Sequence, residues 1–414
     1  MESVKVSVVI PVYNAETYLN ETLGDITGQT LQEIEIICVD DGSTDQSTAI
    51  IEQWQKRDGR IHLIRQENQY AGVARNHGME HAHGKYIIFW DADDLFHTKA
   101  LERLYLQAEK ENTDICICAA QRYDHRNRVY LPSKAFLRTD LLPEKETFNK
   151  FDIPENIFNL ATNVPWNKLY KREFIEEHKI RYQPLRQAND TYFTIMAFFF
   201  AQRISYVTDV LVSYRINNET SLSGKASNTV FCAYDSWAFT RDAIKNDPDY
   251  PLVRLSFLNR ALSGFFHSLD IQTDFDAYQK LYHRLVEEGF RSFGLTACKE
   301  EEIYEPWMFC DMQKMMEMTP EDFLIQKDNA RRVNADYFRG RVQTFKGKNK
   351  ELKEKLKSRK EEIKKLKQEN KKLQEENKKL RKKYREIQES ISYRLGRLLL
   401  WLPRNIKKVF RQRT

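Results

Sequence analysis

The sequence has no apolar run approaching the ~18 residues that a membrane-spanning helix needs, so no transmembrane segment is expected. Its first residues, MESVKVSVVIPVY, lack the basic, apolar and small-residue regions of a secretory leader, and export is not expected either. Six cysteines are scattered along the chain. The nearest pair, Cys116 and Cys118, leaves one residue between them, which suits neither zinc spacing nor a redox dithiol. They read as buried, reduced thiols of a cytosolic protein. No glycine-rich turn follows the first strand-like run, which leads instead into Pro11-Val12-Tyr13-Asn14. A nicotinamide dinucleotide fingerprint is therefore absent.

What is present is a chain of 414 residues, 41% hydrophobic, long enough for two or three domains. Its net charge of +6 hides a split: residues 341–414 carry +18 and residues 1–340 carry −12. An acidic body with a basic tail points to an anionic partner surface. The basic tail shows no nucleic-acid module and no interleaving of basic and aromatic residues, so nucleic acid is not the expected partner.

Strand-like and helix-like runs alternate over the first 119 residues. The spacing predicts strands at 4–13, 34–40, 61–66, 85–91 and 115–119, and helices at 15–29, 44–57, 72–83 and 98–112. Nearly continuous apolar strands separated by helices imply parallel βαβ units with both faces covered. In such sheets ligands sit beyond the carboxyl ends of the strands. Those ends are polar here: PVYN after the first strand, Asp40-Asp41 after the second, and Asp91-Ala92-Asp93-Asp94 after the fourth. Three crowded carboxylates repel unless a cation sits among them. A divalent ion bridging substrate phosphates suits them, because Mg²⁺ and Mn²⁺ take carboxylate oxygens and need few protein ligands. A plainer alternative is that they cap the helix that follows.

Five segments are expected: 1–119 and 120–225 as two halves of one α/β domain, 226–340 as a helical extension without an obvious catalytic cluster, 341–390 as a coiled coil, and 391–414 as a tail. From Leu352, steps of four and three reach Leu356, Arg359, Ile363, Leu366, Asn370, Leu373, Asn377, Leu380, Tyr384 and Ile387. This heptad seam, with Asn370 and Asn377 at successive a positions, predicts a parallel dimer. The tail, ISYRLGRLLLWLPRNIKKVFRQRT, has Leu and Ile at helical spacing, basic residues on the remaining face and Trp401 near the boundary. It suits an anionic lipid surface, with a break at Pro403.

The runs VSVVIPVYNAETYLNETLGDITGQTLQEIEIICVDDGSTDQS and NQYAGVARNHGMEHAHGKYIIFWDADD resemble the nucleotide-binding half of family 2 inverting glycosyltransferases with the GT-A fold. WNKLYKREFI and the Tyr-Arg segment extend the likeness to about residue 223. The resemblance implies a GT-A fold with a mixed central sheet. It also implies a metal-dependent enzyme, with Mn²⁺ or Mg²⁺, that moves a sugar from a nucleotide donor, UDP most commonly, to a glycan or lipid-linked acceptor in cell-surface polysaccharide synthesis.

Carried onto this sequence, the resemblance places Pro11, Tyr13 and Asp41 around the nucleotide base, with Asp40 supporting the turn. Arg75 becomes a donor-site cation, and Asn76 shapes its loop. Asp91 falls near ribose and metal, Asp93 is the principal metal ligand, and Asp94 is structural, capping the next helix. Asp190 is the general base that deprotonates the acceptor hydroxyl, and Arg215 is available to the diphosphate. Trp166 and Lys168 shape the acceptor half, Trp166 either as core or as a sugar platform. Two positions depart from the family pattern: Asn189 stands where a Glu is usual, and Asn217 where many relatives have a His. His77, His81 and His83 read as surface residues, not ligands. The departures leave a second reading open, a catalytically degenerate scaffold acting through its coiled coil.

Overall fold

The computed structural model describes residues 4–217, 229–390 and 392–400. The chain divides into two compact units, Met1–Phe323 and Leu324–Thr414.

The first unit is built on one sheet. Strand β1 (Val6–Val12) is apolar and almost wholly buried, and lies between β2 (Ile34–Asp40) and β4 (Tyr86–Phe89), parallel to both. Strand β3 (Ile61–Arg65) adds to β2, again parallel. Helices α1 (Leu19–Thr27), α2 (Ser47–Gln55) and α3 (Tyr70–Glu80) connect them, and α4 (Ala100–Glu111) follows. Strands buried on both faces need side chains that bury apolar surface in both directions, which is why the alternating polar pattern of a half-exposed strand is missing.

The sheet then turns mixed. A two-residue strand, β5 (Leu95–Phe96), precedes α4 and pairs antiparallel with a much later strand. β6 (Ile115–Asp124) is followed by a short hairpin partner, β7 (Val129–Pro132), and by β8 (Lys168–Lys171), which inserts antiparallel between β4 and β6. β9 (Ile204–Ile216) runs parallel to β6, and its later residues pair with β5. The order is β3-β2-β1-β4-β8-β6-β9-β5. This is the mixed-sheet GT-A arrangement expected, with one sheet spanning both halves. β5 escapes notice in the sequence because two residues carry no periodicity.

Helices α5 (Arg172–Glu177) and α6 (Asp190–Phe200) flank the second half. Helices α7 (Cys232–Ile244), α8 (Tyr250–Asp270), α9 (Phe275–Arg284), α10 (Phe290–Ser292) and α11 (Pro306–Glu317) complete the unit. They bury their own aromatic core, including Tyr234, Trp237, Phe257, Phe265 and Phe293. Cys38, Cys116, Cys118 and Cys298 are buried free thiols as expected, whereas Cys232 is half-buried and Cys310, on the outer face of α11, is exposed. Burial pushes the Cys38 and Cys116 thiols up to about 12, so they stay protonated and inert.

Helix α12 (Pro320–Glu389) runs unbroken for 70 residues, about 105 Å at 1.5 Å per residue. Every apolar seam residue from Leu352 to Ile387 is more than half exposed. Most of the tail expected to bind lipid, residue 391 and residues 401–414, lies outside the described residues.

Candidate active site

The carboxyl ends of β1, β2 and β4 meet at one edge of the sheet, so three sequence motifs become one surface. After β1 the chain turns at Asn14, whose φ of 49° is left-handed. Asn14 accepts from the Thr44 N–H at 2.8 Å, and its own N–H reaches Ser43 Oγ at 3.1 Å. The turn holds Tyr13 out from the sheet, 49% exposed. Asp40 supports the turn after β2: it accepts from the Ser43 N–H at 3.0 Å and from Thr48 Oγ1 at 2.6 Å. Asp41 uses Oδ1 alone, accepting from Gln66 Nε2 and the Gln69 N–H, both at 2.8 Å. Its Oδ2 has no hydrogen bond among the described residues, an acceptor held rigidly and left open for an N–H donor.

The crowding at Asp91, Asp93 and Asp94 is relieved by two arginines from distant parts of the chain. Arg75, on α3, donates from Nη2 to Asp91 Oδ1 at 2.6 Å and from Nη1 to Asn189 Oδ1 at 3.1 Å. Burial works against its charge, but the Asp91 carboxylate, Tyr182 and Asp190 more than compensate, so its pKa is raised. Arg215, on β9, lies beneath the loop. Its backbone N–H binds Asp94 Oδ1 at 2.8 Å, and its guanidinium donates to the Asp93 carbonyl at 2.6 Å, to His125 Nδ1 at 2.8 Å and to Glu21 at 2.8 Å. It also lies over the Tyr18 ring, 4.5 Å from the centroid.

Two expectations are corrected here. Arg215 is not available to a diphosphate: it is 2% exposed and committed to holding the acidic loop. Asp94 does not cap the next helix, because β5 intervenes and α4 begins after Lys99 without a side-chain cap. Asp94 instead ties the loop to β9. Burial, with the Asp93 and Asp91 charges added, raises its pKa well above the ordinary carboxylate range. Its Oδ2 is buried without a partner, as suits a carboxyl that keeps its proton.

Asp190 is brought to this edge by a close approach of backbone. At Gly72, on α3, a Cβ would sit 2.4 Å from the Gln183 carbonyl oxygen and 2.9 Å from Asn189 Cβ. Glycine alone lets the 183–189 loop lie on α3, one turn before Arg75. Asp190 then opens α6, partly buried, and its carboxylate accepts from its own backbone N–H. Burial raises its pKa; Arg75 opposes this most strongly, the Asp91 charge adds to it, and Lys168 counters it. Asn189, in the place of the usual Glu, is buried between Arg75 and the Leu185 carbonyl. A neutral amide there leaves the Arg75 charge to Asp91 and Asp190.

The remaining predicted residues separate. Trp166 is core, 2% exposed, stacked on Tyr214 and edge-on to Phe136. Lys168 is fully buried, and its ammonium donates to the carbonyls of Thr162 and Val164 and to Asn167 Oδ1. Burial pulls its pKa down to about 7. Asn217 is exposed at a φ of 57°, and its side chain hydrogen-bonds Asp124. His77 contacts Gln66, His81 bonds the His77 carbonyl and His83 pairs with Glu35, so all three are engaged elsewhere. No three His, Cys, Asp or Glu side chains form a ready-made metal cage among the described residues. One residue near Asp190 carried no signal in the sequence: Arg260, on α8, whose pKa is pulled down to about 10 by burial and supported by the Asp190 charge.

The family model described as Glycosyl transferase family 2 matches residues 7–179, from β1 to the loop after α5. The putative glycosyltransferase EpsH of Bacillus subtilis is 37% identical over 223 residues, 52% of this chain and 62% of its own length. This chain thus spans less than two thirds of that relative. The glycosyltransferase GlyG of Streptococcus pneumoniae is 30% identical over 295 residues, covering 68% of this chain and 94% of GlyG. Among solved structures, S. aureus TarS 1-349 in complex with UDP-GlcNAc aligns over 75% of this chain and 90% of its own, at 17% identity and a TM-score of 0.47. With the strand-end acids and Arg75 inside the matched region, the chain belongs to glycosyl transferase family 2.

Proposed function

We propose that the protein transfers a sugar from a nucleotide-sugar donor, a UDP-sugar, to a hydroxyl of a glycan or lipid-linked acceptor, with inversion, in cell-surface polysaccharide synthesis. The observation that carries this reading is the Arg75 bridge. It joins Asp91, at the strand end where donor phosphates would lie, to Asn189, 114 residues away and next to Asp190. One guanidinium thereby links the donor-side carboxylate Asp91 to the residue that precedes the acceptor base.

Pro11, Tyr13 and Asp41 form the base subsite, with the open Asp41 oxygen accepting an N–H of the base. Asp91 and Asp93 would hold Mn²⁺ or Mg²⁺. The fit is chemical: both are carboxylates at a partly exposed strand end, and such ions need only one or two protein oxygens when phosphates supply the rest. When bound, the ion would offset charge on the departing diphosphate. Asp190 takes the proton from the acceptor hydroxyl. Its raised pKa brings it nearer the operating pH, where a general base works best. Arg75 keeps that rise in check. Residues 1–119 act as the donor half and 120–225 as the acceptor half.

The long helix supplies the partner. With Asn370 and Asn377 at a positions, g positions include Glu362, Glu369 and Glu376, and e positions include Lys360, Lys367 and Arg381. A parallel second copy sets Glu362 against Lys367 and Glu376 against Arg381, whereas an antiparallel one sets cation against cation. This supports a parallel homodimer. Two basic tails then hold the enzyme at the cytoplasmic face of an anionic membrane by avidity. No helix among the described residues is long and apolar enough to cross a membrane.

A nucleotide-sugar panel tests the function: purified protein with Mn²⁺ or Mg²⁺, read by release of nucleoside diphosphate, with Asp93→Ala alongside. Release from one donor, lost in Asp93→Ala, is expected. Nucleotide binding without release from any donor, even with acceptor extracts, would favour the scaffold reading.

A further inference from the structure

The helical extension reaches the acceptor half through α8. Ser256 accepts from Asn159 Nδ2 at its carbonyl, 2.8 Å, and from the Phe158 N–H at its hydroxyl, 3.0 Å. One turn further along, Arg260 Nε donates to Asn163 Oδ1 at 3.1 Å. Asn163 is tied in turn to the first turns of α6: its carbonyl accepts from Thr194 Oγ1 at 2.6 Å, and its Nδ2 reaches Thr191 Oγ1 at 3.5 Å. Arg260 is thus anchored, through one residue, to the helix that Asp190 opens.

That anchor is a neutral amide. Among the described residues no carboxylate pairs with Arg260, and its two terminal nitrogens have no partner, though the side chain is largely buried and those nitrogens are not sealed from solvent. Asp190 is close enough to influence it, but is needed ionised and uncommitted for the reaction. Two turns on, burial lowers the His267 pKa, opposed by the Asp270 charge and aided by that of Arg260. The acids facing this group are Asp190 and Asp270, and Lys168 is a further cation. A half-buried, unpaired guanidinium is costly to keep. Its planar fork matches the paired oxygens of a phosphate or carboxylate.

We infer that Arg260 forms an oxyanion subsite for the acceptor, which holds an anionic group of the acceptor chain while a neighbouring hydroxyl lies at Asp190. The acceptor is therefore acidic, carrying phosphodiester or uronate groups, and is not a neutral glycan. This rests on the transferase reading above and narrows its acceptor. Arg260 is a binding and positioning residue: it selects the chain and sets its register against the base.

Arginine modification mapped by mass spectrometry tests this in the full-length protein. The donor site is first saturated with UDP and Mn²⁺, and UDP affinity is measured on the same samples. Phenylglyoxal labelling of Arg260 is then followed with oligo(glycerol phosphate), oligogalacturonate or neutral maltohexaose as probe. Protection by one acidic oligomer and none by maltohexaose is expected, and which oligomer protects identifies phosphate or carboxylate. In Arg260→Gln the oligomer affinity should fall about tenfold, the worth of a charge-assisted hydrogen bond. UDP affinity should be unchanged. Equal labelling with and without acidic oligomers, or equal protection by maltohexaose, would overturn the inference while leaving the transferase reading intact. Absence of UDP binding would strike at the transferase reading itself.

Discussion

Replacing Arg75 with Met removes the charge at the centre of the site and keeps most of its packing volume. The Arg75 side chain is 7% exposed and Asp91 is 29% exposed. Breaking a fully buried pair costs about 3–5 kcal/mol; Asp91 is partly solvated, which reduces this share to about 2 kcal/mol. Asn189 Oδ1 loses its donor, for about 1 kcal/mol more. The sum, about 3 kcal/mol, should lower the melting temperature of the body by about 5 °C. A second readout separates site from scaffold. Arg75 is the strongest influence holding the Asp190 pKa down, so its removal lets that pKa climb further. Because a general base works only when ionised, the acid limb of the donor-turnover profile should move to higher pH. Calorimetry and turnover measured from pH 5 to 9 decide the matter. An unchanged melting temperature together with an unmoved acid limb would refute the bridge as described.

Gly72→Ala should cost activity beyond its effect on stability, because the new methyl pushes the 183–189 loop away from α3 and carries Asp190 with it; turnover per folded molecule, with UDP affinity as control, reads this. Truncation after residue 340 should give a monomer by sedimentation, whereas removal of 391–414 alone should leave a dimer that no longer binds anionic vesicles. A truncated protein that still dimerises, or a tailless one that stays on vesicles, would sink the corresponding assignment.

Much of the fold was legible because it rests on local pattern. Strands such as VSVVIPV and IEIICVD are continuous apolar runs between turn residues, and they became β1 and β2 within two residues of their predicted bounds. The acids at the strand ends were legible for the same reason, since strand ends fix where polar side chains gather. What sequence did not disclose depends on contacts across long separations. Asp94 looks like a helix cap because its neighbours in sequence are helical, yet its partner is the backbone of Arg215, 121 residues away. Arg215 looks available because an arginine after a tyrosine carries no mark of burial. Arg260 is one of two arginines in α8, and only the packing of α8 on the 158–163 loop brings it near Asp190. Trp166 reads equally as platform or core until Phe136 and Tyr214 are seen to enclose it.

The most direct test of the account is turnover of Asp190→Asn with the preferred donor, beside UDP binding to the same protein. The account predicts a loss of about 10²- to 10⁴-fold, the range for removal of a general base, with UDP affinity unchanged. Turnover close to that of the parent would place the base elsewhere and contradict the site as assembled here.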